Sequence, residues 1–93
     1  MREQAIKSET GFHIDELDGI WYLSGCPKKE YRFREFDSAY DIEKMLEERV
    51  PFTKGMEKDS ESCALFIYFP SKSSAIAYLK KVEKYLNKVK ELV

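Results

Sequence analysis

The sequence is poor in the side chains on which most catalytic and metal sites depend. It contains one histidine, His13, and two cysteines, Cys26 and Cys63. Two thiols can form one disulfide bond at most, which is too few for a disulfide-rich scaffold. A tetrahedral zinc site would need several further ligands. We therefore expect no metal site and two free thiols, buried or half-buried. A Cys26–Cys63 bridge is the alternative, and it would matter in an oxidising cell or a hyperthermophile.

Long apolar runs are also missing. No run approaches the ~20 residues that cross a bilayer, and the segment Met1 to Thr10 lacks the apolar middle of a signal peptide. We therefore expect a cytoplasmic protein without membrane contact. With 93 residues, of which 43% are hydrophobic, the chain suits one core. We expect a flexible N-terminus over 1–10 and a single domain over 11–93.

Glycine motifs that cradle phosphates are absent, because none of the four glycines opens a helix in a G-x-G-x-x-G or G-K-S/T frame. The nearest approach to a catalytic triad is His13, which stands beside Asp15 and across a predicted hairpin from Ser24. A surface histidine opposite a serine is the simpler interpretation. The sequence therefore predicts neither an enzyme nor a bound cofactor.

Side-chain amides are rare, since Gln4 and Asn87 are the only two. Few amides combined with many Lys and Glu residues is the compositional bias of hyperthermophile proteins. The bias favours a thermophilic source.

The most apolar stretch is 63–69, whose two alternating sets of residues are both apolar. This pattern predicts a central strand. Pro70 ends the strand, because proline cannot donate to the ladder, and Ser71 can cap a helix. From Ala75 to Val93 the apolar residues recur at spacings of four and three, which predicts a core-packing helix of about 20 residues.

A hairpin is predicted near the N-terminus. Asp18-Gly19 is the strongest short hairpin signal, because a tight primed turn needs positive φ at both central residues. That turn sets Ile14 opposite Leu23. The expected core side holds Phe12, Ile14, Trp21 and Leu23, and the other side holds His13, Tyr22 and Ser24.

The middle of the chain predicts a strand followed by a helix. Alternation over 30–36 indicates a third strand. Ser38 and Asp41 have the spacing of a capping box, and Pro51 ends the helix that follows. Residues 51–61 form a loop with a short strand at 52–53.

The predicted order is β-β-β-α-β-α, an α+β two-layer sandwich. Strands three and four, joined through a helix, would lie parallel by a right-handed crossover. The result is a four-stranded mixed sheet with two helices packed on one face.

Charge divides along the chain. Residues 71–93 carry six lysines against two glutamates, a net of +4, while residues 1–70 carry ten basic and fifteen acidic side chains, a net of −5. Such fields steer partners, although solvated helix faces also account for charge runs. The side chains expected to matter are Asp41, Glu43, Glu47 and Glu48 on the first helix, and Lys80, Lys81, Lys84 and Lys88 on the last.

A sheet covered on one side leaves the other side open. The strand at 63–69 would expose one of its two alternating sets, and residues from the hairpin and from strand three would join it. An exposed apolar patch of several hundred Å² usually marks a binding site or a dimer interface. The candidate sets are Ala64, Phe66 and Tyr68, or Cys63, Leu65, Ile67 and Phe69, together with Tyr22, Arg32 and Arg34.

Two functions fit this surface. The first is a regulatory protein-binding module that joins a foreign partner or a second copy as a homodimer; one version inhibits a nucleic-acid-binding enzyme by charge mimicry. The alternative is single-stranded nucleic-acid binding, in which the sheet aromatics stack on bases while arginines and the lysine-rich helix hold phosphates. The net −5 of residues 1–70 favours protein binding, because phosphate-binding domains need a basic footprint.

Overall fold

The computed structural model describes residues 5–92. They fold into one antiparallel sheet with two helices packed on one of its faces. The α+β class is therefore confirmed. The strands lie in the order β1-β2-β3-β5-β4. They are β1 Ile6–Lys7, β2 Phe12–Leu17, β3 Ile20–Gly25, β4 Glu57–Lys58 and β5 Ile67–Phe69; the helices are α1 Ala39–Arg49 and α2 Lys72–Leu92.

The β2–β3 hairpin matches the prediction. Asp18 and Gly19 both have positive φ, 51° and 82°, as a primed turn requires. Ile14 pairs with Leu23 in the predicted register. On the core side Phe12, Ile14 and Leu23 are buried, and Trp21 packs against the core while half-buried.

Helix α2 also matches the prediction. The Ser71 hydroxyl accepts a hydrogen bond from the Ser74 N–H at 3.2 Å, and the Ser71 N–H donates to the Ser74 hydroxyl at 3.2 Å. These reciprocal bonds satisfy free donors at the helix start. The apolar stripe of α2 faces the sheet, but Leu92 is 86% exposed, and Val93 lies outside the described residues. The buried positions are Ala75, Tyr78, Leu79, Val82, Leu86 and Val89.

The predicted third strand over 30–36 is wrong. A 3-10 helix occupies Lys29–Tyr31, and the chain then runs without regular structure to α1. Tyr31 is buried in the core, whereas Phe33 is 44% exposed. Tyr31 and Phe33 belong to the same alternating set, so the sequence alternation does not correspond to a buried face and an exposed face in this segment.

Loss of that strand changes the topology of the sheet. β5 pairs directly with β3, and every pairing is antiparallel. The sheet is therefore not mixed, and no parallel crossover exists among its described strands. It has five strands instead of four because β1 and β4, of two residues each, extend its edges. Phe52 is not in a strand and packs on Tyr78, with ring centres 5.9 Å apart.

Helix α1 begins after Ser38 and ends before Pro51, as predicted, but it is capped differently. Ser38 makes no side-chain cap hydrogen bond. The Asp41 carboxylate accepts from the Asp37 N–H at 3.0 Å, and the Ala39 N–H donates to the Ser62 carbonyl at 2.9 Å. The start of α1 is therefore held by tertiary contact more than by a local box.

Strand β5 is shorter than the apolar run that contains it. Residues 61–64 form a tight turn closed by a bridge between Glu61 and Ala64, and the Phe66 N–H donates to the Ser60 hydroxyl at 3.2 Å. These contacts take residues 63–66 out of the β3 ladder, which covers only Trp21 to Leu23.

One core joins the sheet to both helices. The Tyr78 hydroxyl of α2 donates to the Val50 carbonyl at the end of α1, which ties the two helices together. At the N-terminus Ile6 and Lys7 pair with β2 where the sequence predicts flexibility. Residues 1–4 lie outside the described part, and the domain boundary at residue 10 stays a prediction.

Candidate functional site

The open side of the sheet carries three aromatic side chains. Ile67 and Phe69 point into the core, so Phe66 and Tyr68 point to the opposite side. Of the two sets that the sequence allows, the open one is therefore Ala64, Phe66 and Tyr68. Tyr22 joins it because Tyr22 and Tyr68 are cross-strand partners.

The three rings form one cluster. Tyr22 lies 5.8 Å from Phe66 and 6.1 Å from Tyr68 between ring centres. Phe66 and Tyr68 are 6.4 Å apart and nearly parallel, with 6° between their planes. All three are half-buried, since each ring covers part of its neighbours. We call Tyr22, Phe66 and Tyr68 the aromatic face.

The hairpin tip extends this surface with aliphatic side chains. Leu17 is 61% exposed and Ile20 is 52% exposed, although both are large and apolar. With Asp18 they border a depression of about 210 Å³ that the three rings also line. Exposed aliphatic groups beside clustered rings make a contiguous apolar patch of the kind that marks interaction sites.

Carboxylates surround the aromatic face. Asp15 is the register partner of Tyr22, Glu57 is the register partner of Tyr68, and Asp18 lies at the turn. Cross-strand partners share a face, so these acidic groups lie beside the rings. The cation that the register brings to this side is Lys7, opposite His13 at the far edge. The patch is therefore apolar in the middle and acidic at its margin.

Arg32 and Arg34 are not on this face, which corrects the prediction. The Arg32 Nε donates to the Pro27 carbonyl at 2.7 Å, and its Nη1 lies 3.6 Å from the Glu35 carboxylate. The Arg34 guanidinium stands 5.7 Å from the Phe33 ring centre and 5.5 Å from that of Phe36. Both belong to the irregular 32–38 segment, because the strand that would have carried them does not form.

The charged helix residues lie in the helix layer, on the other side of the sheet. Glu47 of α1 pairs with Lys58, and this hydrogen bond raises the Lys58 pKa above its ordinary value. The acidic surface of α1 is therefore separate from the aromatic face. The predicted residues of that surface are Asp41, Glu43, Glu47 and Glu48; the predicted lysines Lys80, Lys81, Lys84 and Lys88 are all exposed on α2.

A cleft of about 440 Å³ opens at the other end of the sheet. It gathers His13, Ser24, Cys26 and Cys63, and the Arg32 Nη2 lies 3.9 Å from the Cys26 sulfur. Both cysteines are free, as expected, but both are exposed instead of buried or half-buried. The sequence did not predict that Cys63 lines this cleft, because the apolar pattern over 63–69 predicted a strand that includes Cys63. Over the described residues, no group of three or more His, Cys, Asp or Glu side chains could hold a metal ion.

No protein-family model, no curated protein and no solved structure matches this chain. Within residues 5–92, neither helix combines the length and apolarity that crossing a bilayer requires.

Proposed function

We propose that this chain is a protein-binding module that contacts its partner through the aromatic face. The observation that carries the proposal is the cluster of Tyr22, Phe66 and Tyr68 on the uncovered side of the sheet, continued by exposed Leu17 and Ile20. Tyrosine and phenylalanine supply large contact area with few rotatable bonds, and they are enriched in interface cores. An apolar centre with a charged margin is the usual anatomy of such interfaces.

The margin indicates the chemistry of the partner. Asp15, Asp18 and Glu57 would attract Lys or Arg side chains around an apolar contact. Two copies pairing through this face would bring like charges together, so the margin favours a foreign, basic partner over a homodimer. A regulatory role as an inhibitor of a nucleic-acid-binding enzyme would use these same carboxylates. Two exposed free thiols support a reducing compartment such as the cytoplasm.

Single-stranded nucleic acid is the alternative ligand for the same rings, because bases stack on aromatic side chains. Such binding also needs cations along the backbone path. Arg32 and Arg34 lie in the 32–38 segment, and carboxylates flank the rings instead. The arrangement therefore supports a protein ligand over a nucleic acid.

The test is affinity capture from the source cell with three forms of the protein. Tyr68→Glu adds a charge to the aromatic face at a half-buried position. Tyr40→Glu is the matched control, because Tyr40 is 52% exposed on α1, in the helix layer. We expect the wild-type protein and Tyr40→Glu to retain the same partner and Tyr68→Glu to lose it, with all three showing the same circular dichroism and cooperative melting.

Other outcomes would contradict the proposal. Equal capture by Tyr68→Glu would place the contact elsewhere. Unfolding of Tyr68→Glu would mean that the ring serves the core; Tyr22→Ser, a smaller change, would then have to abolish capture in a folded protein. Micromolar or tighter binding of an oligothymidylate at physiological salt would favour the nucleic-acid alternative. A concentration-dependent dimer in sedimentation that Tyr68→Glu dissolves would favour self-pairing.

A further inference from the structure

A second apolar depression lies near the C-terminal end of α2, far from the hairpin tip. The first turn of α2 lies beside strand β3, because the Lys72 ammonium stands 5.3 Å from the Trp21 ring centre. The last turn lies beside the 3-10 helix, because the Lys90 ammonium stands 5.2 Å from the Tyr31 ring centre. A helix of 21 residues spans roughly 30 Å. A ligand at the end of α2 would therefore leave the aromatic face free.

This depression has a volume of about 350 Å³ and an apolar lining. Val89 is buried and Tyr85 is half-buried beneath it, while Phe33 and Leu92 are exposed. Phe33 comes from the irregular segment before α1, so three parts of the chain meet here. We call it the basic groove; its lining residues are Phe33, Arg49, Tyr85, Lys88, Val89 and Leu92.

Its charged lining residues are both cations. Arg49 ends α1 and Lys88 belongs to α2, and both are exposed. Among residues 5–92, no carboxylate lines the groove and neither cation makes an ion pair. Two positive charges beside an apolar surface favour a ligand that is apolar and anionic together.

An adjoining depression of about 290 Å³ is different in character. It shares Phe33 and Arg49 with the basic groove, but Asp41 and Glu48 line it as well. The Arg34 guanidinium makes cation–π contacts with the rings of Phe33 and Phe36, and these two rings contact each other edge to face. This depression therefore mixes three cations with two carboxylates, whereas the described charged residues that line the basic groove are both cations.

We propose that the basic groove is a second docking site, for an acidic segment of a partner protein that carries an aromatic or aliphatic anchor. The anchor would cover Phe33 and Leu92, and carboxylates on either side of it would pair with Arg49 and Lys88. The two cations are both exposed, so carboxylates of a peptide can reach them from solvent. Together with the acidic aromatic face, this site makes the molecule a connector between two partners of opposite charge.

The test uses a short fluorescent peptide with Phe and Leu among Asp and Glu residues, and a second peptide with Asn and Gln in place of the acids. Fluorescence anisotropy would measure binding to the wild-type protein and to the double variant Arg49→Glu/Lys88→Glu. The matched control is Lys54→Glu/Lys80→Glu, which makes the same change of charge at exposed positions outside the groove. We expect the acidic peptide to bind, and the groove variant to weaken it by about tenfold or more.

The control should change the affinity by less than about twofold at physiological salt, and the amide peptide should bind at least about tenfold more weakly than the acidic one. Equal weakening by the control variant would reduce the effect to general attraction. Equal binding of both peptides would remove the role of the two cations. Binding of sodium decanoate in the groove without any binding of the peptide would assign the site to a fatty acid and overturn the proposal.

Discussion

Single residues carry much of the architecture, and Tyr78 is one of them. It is buried between α2 and the end of α1, and its hydroxyl donates to the Val50 carbonyl. Burial raises its pKa well above the ordinary value, with a smaller contribution from Glu47. Because a buried hydroxyl without a partner would be costly, this one hydrogen bond lets an aromatic side chain with a polar end occupy the core.

Tyr78→Phe should reveal both effects. At neutral pH the variant should lose about 1 kcal/mol of unfolding free energy, because the Val50 carbonyl loses its donor. In the unfolded chain a tyrosine ionises near pH 10, while folded Tyr78 keeps its proton at that pH. The unfolded state therefore binds fewer protons above about pH 10, and the free energy of unfolding falls as the pH rises further.

Urea unfolding of the wild-type protein and Tyr78→Phe at neutral pH and at about pH 11 would check this prediction. The difference between the two proteins should shrink at the higher pH, because the variant lacks this ionisation. Tyr40→Phe is the control, since Tyr40 is exposed and should alter neither value. A difference that stays constant with pH would show that Tyr78 ionises normally in the folded protein.

At the scale of elements, the two helix starts differ although the sequence gives them similar junctions. Ser71 bonds reciprocally with Ser74 at the start of α2. Ser38 makes no cap bond, and the Ala39 N–H uses the Ser62 carbonyl instead. A serine before a helix therefore predicts where the helix begins more reliably than it predicts which group satisfies the first turn.

The pair Ser71→Ala and Ser38→Ala should separate these two cases. Ser71→Ala should cost about 1 kcal/mol, the usual loss for a side-chain cap. Ser38→Ala should cost less than about half as much, because it removes no hydrogen bond that the helix uses. Thermal or urea unfolding would measure both, and equal losses would contradict the capping described here.

The sequence predicts the local elements better than the long-range ones. The hairpin follows from Asp18-Gly19, because these residues strongly favour a tight primed turn, and α2 follows from a regular apolar stripe. The strand over 30–36 fails because Tyr31 is buried against the core while Arg34 stacks on Phe33 and Phe36. The period of two is present in the sequence of this segment but not in its burial, and nothing local distinguishes such a segment from a strand.

The candidate site shows the same limit. Tyr22, Phe66 and Tyr68 lie together, in one of the two arrangements that the sequence allows. Strand alternation predicts which residues share a face, but the three rings meet only through the long-range pairing of β3 with β5. The two arginines assigned to this face depended on the missing strand and lie elsewhere. The basic groove was not predicted, since it joins an irregular segment, the end of α1 and the end of α2. The sequence places Leu92 at the end of the apolar stripe of α2, and only the folded structure shows that its side chain is exposed.

For the whole molecule, the organising feature is a sheet covered on one side. The helices bury one face in a single core, and the other face keeps its aromatic and aliphatic side chains within an acidic margin. The basic groove lies near the far end of α2. The aromatic face and the basic groove are thus two separate surfaces, each with exposed apolar groups.

Methyl and aromatic NMR signals would test the central proposal most directly, with the captured partner added to isotope-labelled protein. Leu17 and Ile20 report on the aromatic face, together with the rings of Tyr22 and Tyr68, and Leu92 reports on the basic groove. We expect the partner to shift or broaden the signals of the aromatic face at equimolar ratio while Leu92 stays unchanged. Unchanged Leu17, Ile20, Tyr22 and Tyr68 signals in the presence of a bound partner would contradict the account.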